Sequence, residues 1–174
     1  FIQDQYAILS GYVVSMLVTP TFFCTIIYRL YLPIATDDLY YHKSNTFLHL
    51  LYALLICFLI GLPFTLIFYF FPKRSLMILY NTTSGYQQLK YMSFPFLLFY
   101  LQTPLSTILQ AKNKNKVMFI ISMIECTLEI ILTYTLSHYL YVNAILISLF
   151  IGLITTLTLS AIYCFKIIKD TSLS

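Results

Sequence analysis

Polar and apolar positions along this chain fall into long blocks rather than short alternations. Five stretches, Tyr6 to Tyr28, Phe47 to Phe71, Tyr91 to Ala111, Val117 to Ser137 and Asn143 to Phe165, are solidly apolar, and only the fourth contains formal charges. Crossing a hydrocarbon core of ~30 Å takes about 20 residues of helix, and each stretch is long enough to do so with some tilt. A strand reading needs turn signals every ten residues or so and period-two alternation, which these runs lack. The pattern predicts an all-α integral membrane protein of about five transmembrane helices, forming one membrane domain over residues 1–174.

Composition strengthens this reading. Hydrophobic residues make up 60% of the chain and charged residues 9%, with a mean hydropathy of +0.84; a soluble domain of this length could not bury so much apolar surface. The chain opens at Phe1 with no basic n-region before the first span, so the expectation is a fragment of a larger membrane protein rather than a natural start or a signal peptide.

Charge then suggests an orientation. Arg29, Lys43, Lys112, Lys114, Lys116, Lys166 and Lys169 collect on one side of the predicted spans, against Lys73, Arg74 and Lys90 on the other. The richer side is expected to be cytoplasmic, which places the C-terminus inside and the Lys112–Lys116 hairpin against the inner leaflet. The net charge of +4 is accounted for by topology and anionic lipid, so no nucleic-acid partner is invoked.

Enzyme and metal chemistry find little support. Cys24, Cys57, Cys126 and Cys164 stand singly in separate spans, and no His lies near them at ligand spacing, so neither a metal nor a cofactor is expected. His49 and His138 fall near span ends, where water or headgroups solvate them. Asp37, Asp38 and His42 are the only candidates for a membrane-embedded transferase. Adjacent acids between Arg29 and Lys43 read as a solvated loop, and no catalytic residue is assigned.

Polarity inside the spans is more informative. Pro20 sits in the middle of the first span, Gly61 and Pro63 interrupt the second, and Pro95 and Pro104 bracket the third; any one of them reads equally well as a packing kink, and only their accumulation points to a moving bundle. Each proline removes a donor and frees a carbonyl that protein or a wet cavity has to satisfy. Gln102, Ser106 and Gln110 recur at spacing four and share a face. In the fourth span Ser122, Glu125, Glu129, Thr133 and Ser137 form a continuous polar stripe, with two carboxyls near mid-membrane. A charge there costs at least ~2.5 kcal/mol facing lipid, so the stripe is expected to face an interior cavity. Ser148, Gly152, Thr156 and Ser160 make a seam of small residues suited to close helix packing.

Within the stretch from Tyr80 to Lys116, the segment Tyr80-Asn-Thr-Thr-Ser-Gly-Tyr86 and the later run Phe99-Tyr-Leu-Gln-Thr-Pro-Leu-Ser-Thr-Ile-Leu-Gln-Ala-Lys-Asn-Lys114 resemble the polysaccharide-exporter and stage V sporulation protein B branch of the multidrug/oligosaccharidyl-lipid/polysaccharide flippase superfamily. Leu17-Val18-Thr19-Pro20, Leu32-Pro33-Ile34-Ala35 and Gly61-Leu62-Pro63 resemble the opening of that family's second lobe. Lys112-Asn113-Lys114 and Val142-Asn143-Ala144 lack glycines usual in relatives. The resemblance implies part of the second lobe of a two-lobed alternating-access transporter in the bacterial cell membrane. Such a protein moves a lipid-linked oligosaccharide or peptidoglycan precursor, in polysaccharide biosynthesis, cell-wall synthesis or sporulation. A drug or cation antiporter of the same fold is the alternative. The implied partners are the bilayer, the lipid-linked glycan and the missing N-terminal lobe. The candidate cavity residues are Glu125, Glu129, Ser122, Thr133, Gln102, Ser106 and Gln110.

Overall fold

A computed structural model describes residues 7–41, 46–141 and 143–173. His42, Lys43 and Val142, and the Tyr6 start of the first expected span, lie outside the described residues. The elements are α1 (Leu9–Tyr40), α2 (Thr46–Phe70), α3 (Pro72–Tyr80), α4 (Tyr86–Ala111), α5 (Asn115–Leu140) and α6 (Asn143–Leu173). All except α3 are long and apolar enough to cross a membrane, which gives a multi-pass helical protein in contact with lipid. Tyr40, Thr46, Ala111 and Asn115 mark one end of the helices, and Phe70, α3, Tyr86 and Leu140 the other.

The buried helix is α4, which packs against α1, α2 and α6. Around it lie two main clusters. Leu9, Val13, Met16, Leu76, Leu89 and Phe96 form one near the α3 end. Tyr31, Ala35, Leu50, Leu105, Ile108 and Cys164 form the other towards the opposite end. The outlying helix is α5, which lies along α6 and touches α4 only lightly. Large apolar side chains such as Phe22, Leu30, Phe119, Ile130 and Ile162 point outwards. In water such a belt would drive aggregation; in a bilayer it is the lipid-facing surface.

The first helix differs from its expected extent. The charge-free window ends at Tyr28, yet the helix continues through Arg29, Pro33, Asp37 and Asp38 to Tyr40. A helix rises 1.5 Å per residue, so these 32 residues span about 48 Å and overshoot the hydrocarbon. Charges mark where the lipid ends rather than where the helix ends. Asp37 and Asp38 therefore stand on the last turns of α1 rather than in a loop.

Most of the prolines are absorbed within helices. Pro33, Pro63, Pro95 and Pro104 all lie inside continuous helices. Among the described residues the interruption by a proline is at Thr19-Pro20, where α1 tightens to i→i−3 bonding, Phe22 to Thr19 and Phe23 to Pro20. Two side chains reach the carbonyls loosened there: the Thr21 hydroxyl donates to Val18 O at 2.6 Å, and the Tyr100 hydroxyl of α4 donates to Leu17 O at 2.8 Å.

Candidate functional site

The polar stripe of α5 and the small-residue seam of α6 face each other. Because the helices are antiparallel, and the α5 stripe from Glu125 onwards and the α6 seam both have a spacing of four, each step along one is matched by a step back along the other. At one position the Thr133 and Ser148 hydroxyls are hydrogen-bonded at 2.7 Å. One turn further the Glu129 side chain lies over Gly152: a Cβ there would stand 2.7 Å from Glu129 Oε1 and 3.0 Å from its Cγ. A further turn places Glu125 beside Thr156. Thr156 is 2% exposed, and its buried hydroxyl makes no hydrogen bond of ordinary geometry.

This arrangement explains why small residues line α6. Glycine and hydroxyl residues leave room for the acid side chains between two closely packed helices. Glu125 and Glu129 are half-buried, whereas Ser122 and Ser137 are exposed. The structure thus brings Glu125, Glu129 and Thr133 together against one helix and leaves Ser122 outside the group. Two serines bond back to their own helix as well, Ser148 to Ile145 O at 3.0 Å and Ser137 to Tyr134 O at 2.9 Å, which keeps their hydroxyls satisfied in lipid.

The α4 candidates have different surroundings. Gln102 and Ser106 are half-buried, and the Ser106 hydroxyl donates to Thr103 O at 2.8 Å. Gln110, on the last turn, accepts a hydrogen bond from the Tyr28 hydroxyl of α1, so it ties two helices together. Tyr100, which the polar pattern does not single out, occupies the centre of the bundle. Its ring lies on Gly61 of α2 and packs with Cys24 and Cys57. Those two thiols, on separate spans, are neighbours in space. Cys164 is also engaged, donating to Leu105 O at 3.1 Å.

A second ionisable pair stands at the far end of α1. The Asp38 carboxylate is 2% exposed and hydrogen-bonded to Nδ1 of His49 on the first turn of α2. His49 is thus held by a carboxylate rather than by headgroups alone. No spacing within a single span could reveal the pair, because it forms across a helix-helix junction. Tyr31, with its hydroxyl buried and without a hydrogen-bond partner, lines with His49, Tyr52 and Ala53 an apolar cavity of about 320 Å³ between α1 and α2.

These features define a multi-pass, all-helical membrane protein with ionisable groups held between its spans. No protein-family model, curated protein or solved structure matches the chain.

Proposed function

We propose that this chain is part of the second lobe of an alternating-access transporter that moves a lipid-linked oligosaccharide or peptidoglycan precursor across the bacterial cell membrane. The reading rests on the resemblance of the segments around Pro20, Gly61 and Tyr80–Lys116 to the flippase superfamily. The observation that carries it is the pair Glu125 and Glu129, half-buried at mid-span against α6. Intramembrane carboxyls are expensive and mark ion or substrate pathways. With α5 at the edge of the bundle, the unpaired side of the glutamates would border the cavity between this lobe and the other. At least one of them would exchange a proton, or help to hold a cation, as the lobes rock. In this reading the Lys112–Lys116 hairpin and the C-terminus are cytoplasmic, and the chain carries transport rather than catalysis.

Two mid-membrane carboxyls suit cation coupling equally well, which favours a drug or cation antiporter of the same fold as the second reading. Glutamine keeps the size and hydrogen bonding of glutamate while removing titration. The full-length protein carrying Glu125→Gln, Glu129→Gln or both is expected to insert at normal levels and to lose transport or its dependence on pH and cation. Full complementation of a flippase-deficient host by the double variant would make the carboxyls structural.

A further inference from the structure

At the end of the bundle that carries α3, Lys73, Arg74 and Lys90 line one cavity of about 380 Å³ together with Tyr69, Phe71 and Tyr86. Each cation stands over a ring: Lys73 Nζ is 4.5 Å from the centre of Tyr86, Lys90 Nζ is 5.0 Å from that of Tyr69, and Arg74 Cζ is 5.8 Å from that of Phe71. The rings hold the three side chains in place without neutralising them. None of the three is paired with a carboxylate among the described residues. Glu125 and Glu129 lie at mid-span, and Asp37 and Asp38 are at the opposite end of α1. Three like charges converging on one concave site, with no described carboxylate against them, repel one another, and an anion relieves that repulsion.

We propose that this cavity binds the phosphate group of an anionic membrane lipid. The guanidinium of Arg74 can grip two phosphate oxygens at once, while Lys73 and Lys90 act as point charges beside it. The location selects a lipid as the source of the phosphate. The cavity lies where helices end and headgroups stand, and the outward-facing Phe70, Tyr91 and Phe94 beside it offer an apolar track for the acyl chains. The site is independent of the flippase reading: a membrane protein of any activity could hold a structural lipid there.

The test is native mass spectrometry of the detergent-solubilised chain titrated with phosphatidylglycerol, phosphatidylcholine or inorganic phosphate. Phosphatidylglycerol is expected to bind in preference to phosphatidylcholine. A surface cation contributes about fivefold in affinity for an anionic lipid, so Lys73→Gln/Arg74→Gln/Lys90→Gln should weaken binding roughly a hundredfold. Lys112→Gln/Lys114→Gln/Lys116→Gln removes the same charge at the other end and should leave that binding unchanged. If the triple variant fails to insert, Arg74→Gln and Lys90→Gln singly should each show about a fivefold loss. Equal losses from both triple variants would reduce the effect to net charge, and no loss from either would show that these cations do not hold the lipid; each result overturns the site. Inorganic phosphate binding as tightly as the lipid would assign the cavity to the free ion and overturn the lipid assignment.

Discussion

Replacing Gly61 by alanine should destabilise the bundle chiefly through the side chain of Tyr100. The added methyl would run into Cδ2 of the Tyr100 ring and stand 3.1 Å from both its Cε2 and Leu97 Cδ1. The ring has no free direction in which to retreat. Tyr100 is 1% exposed, packs with Cys24 and Cys57, and is tethered by its hydroxyl to Leu17 O at 2.8 Å. Overpacking at such a site costs about 1–3 kcal/mol. Tyr100→Phe removes the tether alone. Hydrogen bonds between transmembrane helices average about 0.6 kcal/mol with a maximum near 1.7, and a carbonyl beside a proline break belongs towards the upper end, so about 1 kcal/mol is expected. The decisive measurement is a double-mutant cycle by steric trapping in bicelles. In a Tyr100→Leu background the clash is relieved, so Gly61→Ala should cost less by about 1 kcal/mol or more. If the alanine costs the same with and without the ring, α2 and α4 are not held apart by this contact and the packing argument fails.

Two further outcomes are expected. With the four native cysteines replaced by alanine, a Thr133→Cys/Ser148→Cys pair should form a disulfide on mild oxidation, since their hydroxyls are 2.7 Å apart; Thr135→Cys/Ser148→Cys should not, and mass spectrometry of the peptides distinguishes the two. Impermeant thiol labelling in intact cells should modify a cysteine at Ser84 and spare one at Asn115; the reverse pattern would invert the proposed orientation.

The existence of five apolar helices was legible because the bilayer imposes a single rule on every span: apolar side chains outside and backbone bonds satisfied inside. Where that rule stops acting, legibility stops with it. The ends of α1 and α6 run past the apolar windows because water satisfies a projecting helix as well as it satisfies a loop, and nothing at Arg29 or Lys166 breaks either one. The short α3 was equally hidden. Nine residues with Lys73 and Arg74 in the first turn read as a charged connection between spans. The proline count could not say which site would break, because a helix loses one hydrogen bond per proline and can absorb it; the carbonyls at the Pro20 break are met by Thr21 and Tyr100, which no proline pattern names.

The polar stripe of α5 and the small seam of α6 could each be read from a spacing of four, one as a site and the other as packing. The separation was artificial. An acid on a transmembrane helix needs both a partner surface and the space to lie against it, and a helix carrying glycine and hydroxyls every fourth residue supplies the two together. Consecutive spans joined by a tight turn are antiparallel neighbours, so Asn143 opening α6 only a few residues after the end of α5 already fixes which stripes can meet. Glu129 over Gly152 and Thr133 on Ser148 are the outcome. Any function of the carboxyls therefore runs through α6 as well as α5: a bulkier residue at Gly152 would displace the Glu129 side chain without touching its chemistry, and would separate the role of its position from the role of its charge.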